Sequence, residues 1–410
     1  MSWEVRTMKS ATSSSKSWFY PTLWKKNMAR FWPVWALYGL VWLVALPLNL
    51  MTNYRISGSW SGLDEGANHF ANYTVLEYAG ELSVILSVGF AILAAMAVFS
   101  YLYQSRSVGM LHALPVKREG LFLTNYLSGL SFLLLPAVAV FGLALLAEAA
   151  KGCLNPGALG LWLGCQVCYA LFFYSFAVFC AMFTGHVLAL PAFYVVLNGL
   201  AAGLCWVFSR MAEEFLFGFT SAAWLEKLGV WLTPVLLLSE ACHVQYDTIT
   251  DAAGNSMLGD PYFAGLGYAS LYALIGLVLA GLALAAYRRR HLESAGDVVS
   301  VRWVRPVFKY GVAFCTAVTL STVFYYVLDP LLPRGPWTLL VLMVVWGAAG
   351  FNILRIGLRS SGLAPERFIA VFYTGLGASL LLAGLLFGRN FGRALHAAAG
   401  LQNKTEHEGE

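Results

Sequence analysis

Long apolar blocks separated by short polar connections run through most of the 410 residues. A helix needs roughly 20 consecutive apolar residues to cross a bilayer core at about 1.5 Å per residue, and the blocks have that length. They predict spans at about 31–51, 82–102, 122–147, 159–183, 187–208 and 266–287, with three more at about 312–327, 337–356 and 368–387. The stretch from Trp224 to Leu238 is apolar but carries Glu226, Lys227 and Pro234, which fits a re-entrant or surface helix better than a full span. Ahead of the first span, Trp18, Phe19 and Tyr20 precede Lys25, Lys26 and Arg30, the pattern of an interfacial elbow with aromatics at headgroup depth and cations toward anionic lipid.

Composition agrees with this pattern. Hydrophobic residues make up 59% of the chain and charged residues 11%, against about 25% charged in a soluble domain. The expected class is therefore an all-α integral membrane protein, a polytopic helical bundle. The first span is too long for the apolar core of a signal peptide and reads as an uncleaved helix.

The net charge of +5 does not point to nucleic acid, because the cations lie between apolar blocks and form no basic, aromatic-interleaved patch. They report orientation instead. With alternating spans, one side collects Arg6, Lys9, Lys16, Lys25, Lys26, Arg30, Arg106, Lys117, Arg118, Arg288, Arg289, Arg290, Arg302, Arg305, Lys309, Arg355, Arg359 and Arg367. The other side collects Arg55, Lys151, Arg210, Lys227 and Arg334. The N-terminus is thus expected to be cytoplasmic, in the cell membrane of a bacterium. Nine spans would place the tail outside despite Arg389, Arg393 and Lys404.

No Gly-x-x-x-x-Gly-Lys-Ser/Thr phosphate loop, His-Glu-x-x-His pair or Gly-x-Ser-x-Gly elbow occurs, so no enzymatic site, bound cofactor or metal is expected in this chain. Cys165 and Cys168 are spaced i, i+3 on one span, but with no second ligand pair they read as helix packing. Glu148 and Lys151 read as solvated charge at the outer end of the third span, and Arg288 to Arg290 as a stop-transfer anchor. Gln166 and Asn198, both inside spans, are candidates for a substrate path or for cross-helix hydrogen bonds. Gly276 with Ala280, and Gly347, Gly350, Gly377 and Gly384, have the spacing of close helix contacts.

The connection between the second and third spans carries the most information. It is short, cytoplasmic and amphipathic, with Val108, Leu111 and Leu114 roughly on one helical face and Pro115 ending the helix. Lys117, Arg118 and Glu119 could pair with a soluble partner or be ordinary cytoplasmic charge. With "FSYLYQSRSVGMLHALPVKREGLF" here and "YRRRHLESAGD" after the sixth span, the sequence resembles the permeases of bacterial ABC-2-type exporters over roughly residues 17–300.

The resemblance implies a six-span permease core plus about three additional spans. Residues 1–30 would be the cytoplasmic N-terminus with its elbow, and 31–290 the core, holding a coupling segment at 104–120 and an extracellular re-entrant region at 209–265. Residues 291–311 would be a cytoplasmic connection, 312–387 the three-span extension and 388–410 a polar tail. The segment containing Arg106, Met110, Leu111, His112, Leu114, Pro115, Lys117, Arg118 and Glu119 would dock on a separate ABC ATPase dimer, which would bind the ATP and Mg. A second permease subunit, identical or related, would complete the transporter. The expected function is ATP-driven export of an amphipathic compound such as a peptide antibiotic or lipid. A non-transporting membrane sensor or anchoring subunit is the alternative.

Overall fold

The computed structural model describes residues 18–52, 72–103, 117–152, 154–187, 189–215, 223–250, 256–289, 304–327 and 335–359. Six helices among them are long and apolar enough to cross a membrane, and the chain is a multi-pass membrane protein built on a helical bundle. The span expected at 368–387 and the polar tail lie outside the described residues.

The helix α1 (Pro21–Arg30) starts on a proline, whose fixed φ and missing N–H suit a first helical position. It ends at Phe31, where α2 (Trp32–Thr52) turns away. Pro47 sits inside α2 and cannot donate to the helical ladder; the surrounding Val44–Leu48 segment is a π-turn. The helix α3 (Asn72–Val98) breaks at Ala79–Gly80 and ends in a tight 3₁₀ turn, Ser100–Tyr103. With 34 residues, α4 (Arg118–Lys151) is roughly 50 Å long, well beyond a core of about 30 Å, so its ends stand clear of the hydrocarbon.

Asn155 caps α5 (Pro156–Phe183), accepting the Gly157 and Ala158 N–H groups at 3.1 and 3.2 Å. A second π-turn, Ala170–Tyr174, interrupts α5 midway. The helix α6 (Ala189–Phe215) is the fifth apolar span. The expected re-entrant stretch is two short helices, α7 (Ala223–Trp231) and α8 (Pro234–Ala241), separated at Thr233 just before Pro234.

An antiparallel hairpin follows, β1 (Val244–Thr250) with β2 (Ser256–Phe263), in register from Val244 opposite Phe263 to Thr250 opposite Ser256. The register is irregular between Tyr246 and Thr248, and Pro261 lies opposite Tyr246, the bulged kind of position that tolerates proline. This hairpin is a departure from the all-α expectation. The sixth apolar span is α9 (Leu266–Arg289), and α10 (Val304–Val327) and α11 (Pro336–Arg359) follow.

The chain divides into two compact units. Unit 1 comprises Met1–Leu190 with Val235–Gly296, and unit 2 Pro191–Pro234 with Asp297–Glu410. Most of α6 falls in unit 2 with α10 and α11. Within unit 2, α10 and α11 pair as a hairpin with the Phe324 ring tilted against Trp346, centroids 4.5 Å apart. Gly350 lies against Thr316 and Gly347 against Ala317, the close approach expected of small residues.

In unit 1 a buried aromatic core fills the space between the spans. Trp42, Trp162, Tyr169, Tyr174, Phe132 and Phe173 are fully buried, whereas large apolar side chains such as Leu274 and Val278 of α9 face outward, as lipid-facing residues do.

Candidate functional site

The described chain flanks the connection predicted to carry chemistry on both sides. Arg106, Met110, Leu111, His112, Leu114 and Pro115 lie outside the described residues. Lys117, Arg118 and Glu119 lie within them, at the start of α4.

On the incoming side, the turn Ser100–Tyr103 is pinned by two tyrosine hydroxyls. Tyr101 bonds the Tyr287 hydroxyl at 3.3 Å, and Tyr103 bonds Thr184 at 3.4 Å. Phe99 packs on Phe122 at 5.7 Å, and Phe122 on Tyr287 at 5.4 Å, so the end of α3, the start of α4 and the foot of α9 share one aromatic cluster.

On the outgoing side, the backbone N–H of Lys117 donates to the Tyr20 hydroxyl at 3.2 Å, and its ammonium lies 5.6 Å over the Trp18 ring. Glu119 pairs with Arg288 at 3.0 Å. Arg288, expected to serve as a stop-transfer anchor, therefore also ties the foot of α9 to the start of α4. The side chains are 52% and 32% exposed, so the pair contributes at most about 1 kcal/mol and orients the two helices more than it stabilises them.

The elbow helix α1 completes this frame. Its Asn27 amide, buried at 8% exposure, donates to Asn125 at 2.8 Å and Ser128 at 3.2 Å, while the Trp24 indole donates to Ser131 at 3.2 Å. The Tyr20 N–H donates to Thr124 at 3.0 Å. One face of α1 is thus fixed along the first turns of α4, and Lys25, Lys26 and Arg30 are exposed.

The two polar candidates inside spans differ. Gln166 bonds across helices: its oxygen accepts the Tyr38 hydroxyl of α2 at 3.0 Å, and its amide donates to Ser83 of α3. Ser83 in turn donates to the Tyr78 carbonyl at the α3 break. Asn198, in unit 2, donates to the Tyr194 carbonyl of its own helix at 3.2 Å. Tyr38, Ser83 and Tyr287 were not singled out by the sequence, since one hydroxyl in an apolar helix carries no local signal, and Tyr20 stood out only as an interfacial aromatic.

At the opposite end of unit 1, Glu148 is only 1% exposed, against the expectation of solvated charge. The chain turns back at Gly152, and the Asn155 N–H donates to the Glu148 carboxylate at 2.9 Å. Asn155 also donates to Asn72 at the start of α3. Tyr73 stacks on Tyr246 of the hairpin at 5.9 Å. Cys242, fully buried, directs its thiol toward the Gly265 carbonyl, and burial pushes its ionisation above the ordinary thiol range. Among the described residues no group of three His, Cys, Asp or Glu side chains is placed to hold a metal.

Compared with models of known families, with curated proteins and with solved structures, the chain matches none.

Proposed function

We propose that this chain is the membrane-spanning permease subunit of an ATP-driven exporter of the ABC-2 type. One observation carries the reading: the helix ends around the connection at 104–116 are joined to one another, with α3, α4, α9 and α1 meeting through Tyr101–Tyr287, Glu119–Arg288 and Lys117–Tyr20. A soluble partner pressing on that connection acts on several spans at once, which a coupling element requires. Arg106, Met110, Leu111, His112, Leu114 and Pro115 make the contact with the ATPase dimer, which supplies ATP and Mg, while Lys117, Arg118 and Glu119 pass the movement into the bundle.

The N-terminus is cytoplasmic, in the cell membrane of a bacterium, as the distribution of Lys and Arg supports. A second permease subunit, identical or related, completes the transporter. The exported compound is amphipathic, in keeping with a bundle of almost wholly apolar spans.

The test is reconstitution with the ATPase that co-purifies with the chain. Leu111→Glu is expected to abolish co-purification and transport into vesicles while leaving the bundle folded; unchanged transport contradicts the coupling assignment.

A further inference from the structure

The pair Glu119–Arg288 lies at the foot of α9, and α9 runs from there to the π-turn of α5. At Gly276 the two backbones nearly touch: a Cβ on Gly276 would stand 2.6 Å from the Leu171 carbonyl oxygen and 2.7 Å from the Phe172 Cα. One turn earlier, Tyr272 meets Phe172 edge to face at 4.8 Å. The helix α4 reaches the same turn from another side: a Cβ on Gly129 would overlap the Tyr174 hydroxyl, and the Tyr126 and Tyr174 rings lie 5.3 Å apart. The two helices joined by the exposed ion pair are therefore the same two that clasp Ala170–Tyr174.

That turn is the irregular part of α5. A π-turn lacks the uniform i→i−4 ladder, so it shifts register more readily than the helix around it. Four residues before it stands Gln166, which holds Tyr38 of α2 and Ser83 of α3 in a fully buried chain of hydrogen bonds. In a dry interior such bonds can exchange partners but are costly to leave unmade, which gives the three helices discrete arrangements instead of continuous slippage. Pro47 sets another π-turn in α2, nine residues beyond Tyr38.

We propose that Gly276 and Gln166 are positioning residues on a path from the connection at 104–116 into the bundle. Movement of the α4 start against the α9 foot shifts α9 on the α5 π-turn, and the turn re-registers the Tyr38–Gln166–Ser83 chain. This deepens the permease reading by naming how a push at one end reaches α2 and α3, and it rests on that reading for its purpose. All the groups involved belong to unit 1.

The experiment is amide hydrogen exchange on the full-length protein in lipid nanodiscs, which needs no ATPase; a failed permease reading and a failed path are thus distinguishable. Glu119→Gln, a change at a half-exposed side chain that leaves folding intact, is expected to raise exchange about twofold in Ala170–Tyr174 and in Glu81–Ser87. The charge-swapped double variant Glu119→Arg with Arg288→Glu is expected to return both segments to the wild-type rate. Lys25→Gln, which removes an exposed cation of α1 at the same end of the bundle, is expected to leave them unchanged. Gly276→Ala, whose Cβ would meet the Leu171 carbonyl oxygen and the Phe172 Cα, is expected to prise α9 off the turn, raise exchange in Ala170–Tyr174 by itself and leave no further response to Glu119→Gln. If Glu119→Gln changes exchange only within a turn of residues 119 and 288, or if Lys25→Gln produces the same response, the path is wrong.

Discussion

The two ends of unit 1 are built on different principles. At the end carrying α1, long-range contacts run through side chains: tyrosine hydroxyls, a cation over an indole and an exposed ion pair. At the hairpin end, backbone meets backbone. Gly265 has φ 87°, and a Cβ there would stand 2.3 Å from the Ala241 carbonyl oxygen; on Gly80 it would stand 2.7 Å from the Cys242 carbonyl oxygen. Side-chain contacts of small individual energy can be exchanged one for another, whereas the clasp at Gly265 also needs a left-handed backbone that side chains rarely adopt, so it has no alternative arrangement of comparable energy. The first end is suited to movement and the second to holding the spans in place.

The largest effect that tests this contrast is expected at the hairpin end. Gly265→Ala combines a left-handed backbone with a clash and should cost about 3 kcal/mol, read as a fall in the thermal midpoint of the detergent-solubilised protein. Gln166→Leu removes two buried cross-helix bonds, taking away the acceptor of the Tyr38 hydroxyl while Ser83 keeps its bond to the Tyr78 carbonyl, for a loss of about 1–2 kcal/mol by the same assay. Asn155→Ala loses the α5 cap and the bond to Asn72, for about 1 kcal/mol. Glu119→Gln should change stability by less than about 0.5 kcal/mol, and that small difference should vanish at high salt. A Glu119→Gln effect as large as that of Gly265→Ala would erase the distinction between the two ends.

The six long spans were legible because a bilayer demands apolar length; the apolar runs expected at 312–327 and 337–356 are shorter apolar helices, Ala313–Tyr325 and Trp337–Asn352. Boundaries shifted where polar residues lie within a helix: Glu77 seemed to belong to a connection, yet it is exposed within the first turns of α3, which starts at Asn72. The hairpin was hidden because VQYDTIT and SMLGDPYF are short, and their charge, Pro261 and Gly259 weaken any alternation. Of the polar chain, Gln166 stood out as an amide in an apolar helix, but its partners come from residues 128 and 83 positions away, which no local pattern reveals. Pairing of Glu119 with Arg288 was invisible for the same reason. Pro47 is a visible cause of the first π-turn, whereas nothing in ALFFY marks the second.

The central claim is that the frame around 104–116 serves an ATPase. The most direct measurement isolates the tagged full-length chain from native membranes in mild detergent, identifies co-eluting subunits by mass spectrometry and assays Mg-ATP hydrolysis in the eluate. The account predicts a P-loop ATPase in stoichiometric amount with vanadate-sensitive hydrolysis, both lost in Leu111→Glu. A properly folded chain that elutes with no P-loop subunit, or one whose ATPase is retained undiminished in Leu111→Glu, would contradict it.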